Sequence, residues 1–275
     1  MRYTIVLSLG LLACASAQPA TRPAPAPQAP PPLPARVTYA PAQARYRAVQ
    51  HTHQRQMMEG NPQEGRYVLE VLATVSLSGP AGVPMAYTFG LDSVRADGGV
   101  IMPAEIARAH GTRLTGTISP EGVVTNFTGD STLTGQLQNI AIAARQFYPR
   151  LPAGGVEPGQ AWSDTSETKS SGATQLTIRI ASDRKAIDWT DQGGRRTLHV
   201  AVDATYTVNG TGQQMGQDFT ISGNGIRHGD LYISAEGTYL GATSRDSSNV
   251  TVSLPAIGMS FPSIQIRHDT VSVIP

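Results

Sequence analysis

His51-Thr52-His53 is the pair whose residue types and spacing come nearest to metal chemistry. On a β-strand, residues i and i+2 share a face, so the two imidazoles stand about 7 Å apart along it, a usable half-site for zinc. A hydrolytic zinc centre needs a third ligand, which His110, His199, His228, His268 or a carboxylate supplies only if the fold delivers it. Neighbouring Gln50, Gln54 and Gln56 mark instead a polar, solvated strand face, so no metal site is expected.

Other stretches with chemical potential reduce to architecture. Gly210 to Gly216 and Gly223 to Gly229 lack the spacing of a phosphate-binding loop, and no helix follows either to aim its N-terminus at an anion. They read as hairpin-turn and bulge glycines. No Gly-x-Ser-x-Gly elbow is present. Asp92, Asp97, Glu105, Asp130 and Glu157 fall in or beside turns and helix starts, where acids cap and solvate, and Arg195-Arg196 beside Gly193-Gly194 reads as an exposed tip. The residues thus assign no catalytic group, cofactor ligand or metal ligand.

The one residue given a chemical role is Cys14, as a lipidation site. Arg2 and the apolar run Ile5 to Ala13 form an export signal too short to span a bilayer. Leu11-Leu12-Ala13-Cys14 resembles a bacterial lipobox, which would remove 1–13 and anchor the chain through Cys14; Ala15-Ser16-Ala17 ahead of Gln18 is the competing site for ordinary cleavage after 17. Either route predicts an exported protein, outer-membrane-anchored or periplasmic. Residues 18–36 form a Pro/Ala-rich linker, with eight prolines between Gln18 and Pro34, expected to be an extended polyproline spacer. Cys14 is the only cysteine, so no internal disulfide is available. A net charge of +1 gives no footprint for nucleic acid.

From Gln43 on, apolar residues recur with period two. Tyr67, Leu69, Val71, Ala73, Val75 and Leu77 alternate with a more polar set, and Met85 to Leu91 repeats the pattern after a Gly/Pro turn, predicting a hairpin. A second hairpin is predicted from Gly116 to Phe127. Helical spacing of Leu133, Leu137, Ile140, Ala144 and Phe147 predicts a helix over 131–147 capped by Asp130 or Ser131, and Pro103 to His110 a shorter one. Then Pro149, Pro152 and Pro158 impose an irregular strap over 148–162, with Pro158-Gly159 in a type II turn and Trp162 as its anchor. Alternation resumes from Leu176 to Val273. Strands following strands, two runs approaching twelve residues, predict a mainly β domain over 37–275. Its long curved antiparallel strands would form a sandwich or half-barrel, as one body or as halves 37–147 and 163–275 joined by the strap. Aromatic content of 6% and a terminal Ile274-Pro275 argue against an outer-membrane barrel.

Gly116 to Val123, then Tyr148-Pro149-Arg150-Leu151-Pro152, then Gly159-Gln160-Ala161-Trp162 make a pattern that resembles a family of uncharacterised bacterial envelope proteins, many of them predicted lipoproteins. Its characteristic segment is Phe-Pro-x-Leu-Pro followed by Gly-x-x-Trp. The resemblance implies location and fold and carries no known activity. The functional expectation is a non-catalytic binding or structural role in the envelope, towards an unknown protein or ligand. Two alternatives stand beside it. One is a periplasmic carrier of a lipid or other apolar ligand, with Val71, Val75, Val200 and Val202 lining an unfilled cavity. The other is a metal-dependent hydrolase on His51 and His53.

Overall fold

Long alternating runs make long strands, and their pairing decides everything else. A computed structural model describes residues 33–275 except 59–60, 99–102, 130, 132, 134–136, 171–173, 193 and 215. The export signal, Cys14, the linker as far as 32 and Asp130 lie outside the described residues. The strands are β1 (Ala42–Met58), β2 (Asn61–Ser78), β3 (Met85–Asp97), β4 (Arg113–Ile118), β5 (Val124–Thr128), β6 (Ala161–Ser170), β7 (Thr174–Gln192), β8 (Arg195–Gln214), β9 (Gln217–Ser234), β10 (Tyr239–Leu254) and β11 (Met259–Ile274). They form one antiparallel sheet of order β5-β4-β3-β2-β1-β11-β10-β9-β8-β7-β6. The segments before and after the strap are therefore one continuous sheet, joined at its centre by β1 and β11.

Several strands run 17 to 20 residues, well beyond the twelve that the alternation suggests. The reason is visible in β1. Its inward positions are Ala42, Ala44, Tyr46 and Ala48, then Gln50, Thr52, Gln54 and Gln56, so the hydrophobic signal fades midway. The strand persists because β2 and β11 pair with it along its length.

Neighbours in sequence, β5 and β6 are the two free edges of the sheet, and the chain between them must cross from one to the other. Flat, eleven strands at about 4.8 Å would hold those edges nearly 50 Å apart. Here both edges meet adjacent strap residues: Leu151 donates its N–H to Glu121 O in the β4–β5 turn (2.9 Å), and Trp162 of β6 donates its indole N–H to Arg150 O (3.2 Å). The sheet must curl to allow this, which makes it a half-barrel. Helix α1 (Pro103–Ala109) joins β3 to β4, and α2 (Gln138–Arg145) lies in the seam. Arg145 stacks over Phe127 of β5 at 5.0 Å, and Gln146 donates to Thr168 of β6 at 2.6 Å. Described helix α2 is shorter than the expected 131–147 and starts at Leu137 without a side-chain cap, so Ser131 does not cap it. The periodicity still picks its buried face, because Leu133, Leu137, Ile140 and Ala144 are all buried.

One end of the half-barrel is plugged by aromatic rings. Phe147 packs edge-to-face on Tyr46 (4.8 Å), Phe89 (5.4 Å) and Tyr239 (5.3 Å), while Tyr148 meets Tyr39 (4.8 Å). Tyr39, Tyr46 and Tyr87 donate their hydroxyls to the carbonyls of Pro149, Tyr239 and Ala144. Residues 37–40 lock the plug: Val37 and Val156 exchange backbone bonds, and Tyr39 N–H donates to Pro120 O at 2.8 Å. Beyond this, Gly159 has the positive φ of the predicted type II turn and donates to Ala186 O. Trp162 is only half-buried, so the anchoring role given to it falls mainly on Tyr148, which is buried, with the ring of Phe147 packed beside it.

Burial raises the pKa of Tyr39, Tyr87, Tyr148 and Tyr239 well above the ordinary 10, and that of Tyr46 to about 12. A raised folded-state pKa means stability is complete below the unfolded value and is lost as pH climbs past it. Stability is therefore expected to hold up to pH 10 and to fall steeply between 10 and 12, with tyrosinate absorbance rising in the same cooperative step as unfolding. Gradual ionisation of these five buried tyrosines in a still-folded protein would contradict the plug.

Candidate functional site

Between the strap with α2 and the inner wall of β6 to β10 lies a cavity of about 730 Å³, lined among others by Arg145, Arg150, Asp164, Ser182, Arg184, Val202, Arg227 and Gly229. Strand register explains how these side chains meet. Asp164, Ser182, Ala204, Arg227, Asp246, Arg267 and Thr52 are successive cross-strand partners on the inner face, one row beyond the row of Trp162, Arg184, Val202, Gly229, Ser244 and Asp269. A polar girdle thus follows directly on the apolar plug.

Its centre is Asp246, whose side chain is only 3% exposed. Tyr206 donates to one carboxylate oxygen at 2.6 Å, while Arg227 and Arg267 reach the other at 3.1 and 3.4 Å. Arg267 also approaches Asp269 at 3.0 Å, which brings the group close to charge balance. Burial, and then the bond to Asp246, holds the Tyr206 hydroxyl above its usual range. Gly225 makes that bond possible: a Cβ there would overlap the Tyr206 ring. Gly212 does the same for the ring of Phe219. Both glycines sit inside strands, as does Gly223, and Gly216 alone of these serves a turn with positive φ, which corrects their reading as turn and bulge residues.

Nearer the plug, Asp164 lies 3.5 Å from both Arg150 Nη1 and Arg184 Nη1. Arg184 is 11% exposed. Asp164 stands at ion-pair distance, and the buried Nε and Nη1 of Arg184 have no hydrogen-bond acceptor among the described residues. Desolvation depresses the Arg184 pKa, partly offset by the Asp164 charge.

His51 and His53 project from the opposite, outer face of β1, and the glutamines read as their neighbours point inward. His53 lies 3.5 Å from Glu64, and His51 is paired with His268. His199 and His228 are engaged by Asp230 (2.7 Å) and Asp203 (2.6 Å). Among the described residues no group of three or more His, Cys, Asp or Glu is placed to hold a metal, so the half-site gains no third ligand. Asp92 lies within β3 beside a bulge, where it bonds Arg45 and Thr74, and not in a turn. Arg195 and Arg196 are exposed at the start of β8, as the turn reading expects.

Three of the four valines expected to line an apolar cavity, Val71, Val75 and Val200, are buried in the packed core. Only Val202 lines the cavity, where its cross-strand neighbours are Arg184 and Gly229. The girdle itself escaped sequence reading because its charges look like surface residues. Counting in twos from Leu231, Ala242 and Val271 would have placed Arg227, Asp246, Arg267 and Asp269 on the inner face.

No protein-family model matches the chain, and no curated protein does so significantly. Solved structures that it is similar to include a mutant of Rh. blastica porin, at 10% identity over 83% of this chain and all of the other with TM-score 0.29. Pseudomonas aeruginosa OccK2 (OpdF) matches at 8% identity over 85% and 98%, TM-score 0.26. A loop-deletion mutant of OmpT, an outer membrane protein of Vibrio cholerae, matches at 7% over 86% and 100%, TM-score 0.25. At such scores the likeness carries no argument; the class rests on the chain's own geometry, an open antiparallel half-barrel with a charged inner girdle.

Removing one member of a buried charge group leaves the others uncompensated, at about 3–5 kcal/mol. Asp246→Ala is expected to lower unfolding free energy in urea by about that amount, and Tyr206→Phe by about 1–2 kcal/mol. Equal, small losses for both would show that the girdle is solvated.

Proposed function

We propose that this is an exported bacterial envelope protein with a non-catalytic role, binding a ligand within the inner face of its half-barrel. The observation that carries it is uneven filling of that face. The aromatic plug fills one end, whereas the inward residues farther along, including Ile178, Val208, Ile221, Val250 and Val252, stay half-exposed and outside the packed core. A monomeric soluble domain seldom leaves so continuous an apolar surface uncovered unless something binds it. Location rests on the export signal, with Cys14 as the proposed lipid anchor to the outer membrane, and on the resemblance to envelope proteins.

The same surface favours a second reading, a periplasmic carrier of an apolar ligand. The binding wall would then be β7 to β10 beyond the girdle, and not the valines of the packed core.

Mass spectrometry of the full protein extracted from membranes in mild detergent tests both. A denatured mass starting at acylated Cys14 is expected, and one starting at Gln18 would replace the anchor by a free periplasmic form. Under native conditions a non-covalent adduct is expected in the wild type and not in Val208→Asp, which puts a charge on that wall. A bare mass in both would contradict ligand binding.

A further inference from the structure

Arg184 is the least exposed of the cations lining the inner cavity, and it is short of acceptors. Its Nε and Nη1 atoms are inaccessible and without a hydrogen-bond acceptor among the described residues, and Asp164, 3.5 Å away, is shared with Arg150. A buried cation with open donors is costly unless an acceptor arrives. The Asp246 group differs in kind, since two carboxylates there face two arginines.

The surroundings point the same way. Five cationic side chains line the cavity against three carboxylates. Two of the three, Glu167 and Asp230, lie on outer-face register positions, where Arg179 (2.6 Å) and His199 (2.7 Å) hold them. Lys169 pairs with Glu167 and Arg227 with Asp246, so Asp164 is the carboxylate left for Arg150 and Arg184. Opposite Arg184, two strands away in its own row, is Gly229, which leaves that part of the wall without a side chain. Guanidinium donors in a planar fork match two oxygens of one oxyanion.

The geometry points to a binding site for a phosphate-type anion at Arg184, assisted by Arg150. This rests on the binding reading above and names the ligand's chemistry. Ser182 and then Ile180 follow Arg184 along the inner face of β7, and the half-exposed apolar wall begins there. The anion is therefore either a free phosphate ester or the head group of an amphiphile whose chain runs along that wall.

Calorimetric titration of the full chain with inorganic phosphate, dodecyl phosphate below its micellar concentration and uncharged dodecyl maltoside tests this. Binding of either phosphate probe is expected, falling about tenfold or more in Arg184→Gln and with added salt. Tighter binding of dodecyl phosphate identifies the amphiphile, and equal binding the free ester. Arg184→Gln is expected to melt no lower than wild type, because it removes an uncompensated cation. If it does not fold, Ser166→Glu, which adds a carboxylate at the cavity wall, must show the same loss. Phosphate binding unchanged in the folded variants, or absent in the wild type, overturns the assignment. Dodecyl maltoside binding alone overturns the anion and leaves the binding reading intact.

Discussion

Two strands adjacent in sequence form the opposite edges of an eleven-stranded sheet, and the segment between them must bring those edges together. Everything else in this protein depends on that crossing. A strap rich in proline can do it because it neither continues a helix nor joins the sheet, and its carbonyls and N–H groups remain available for both edges. Arg150 and Leu151 accept from one edge and donate to the other, so curvature of the whole sheet is fixed over two residues. Phe147 and Tyr148 deliver the rings that fill the curl, and residues 37–40 close it from the N-terminal side.

Because the crossing fills only one end, the inner face has three zones: packed rings, then a girdle of paired charges, then an apolar wall left half-exposed. The girdle separates a packed core from a half-exposed apolar surface. Burying charges such as Asp246 and Arg184 is a poor route to stability, since desolvation offsets most of the Coulomb attraction.

Much of the architecture was legible. Period-two alternation found the strands, the Pro158-Gly159 turn has the expected backbone, and both hairpins form where turn residues demanded. What was not legible has a physical reason in each case. β1 pairs on through Gln50 to Gln56, because backbone ladders do not require apolar side chains, so its length was underestimated. Periodicity found the inward positions of Leu133 and Leu137 but not where α2 begins. Alternation within a strand could put Asp246 on the inner face, but which charges it meets there comes from register across neighbouring strands. His51 and His53 did share a face, as spacing requires, but spacing cannot say which face, and theirs is the outer one.

The central claim is that the aromatic plug, and not the ladder itself, stabilises this sheet. Hydrogen exchange followed residue by residue along β8 and β9 tests it most directly, because both strands pass through all three zones with continuous backbone pairing. Amides at Leu198, Val200, Leu231 and Ile233 are expected to exchange only on global unfolding, while those at Val208 and Ile221 exchange through local opening orders of magnitude faster. Equal protection along both strands would contradict the account, for it would mean that the far end is held as firmly as the plugged one.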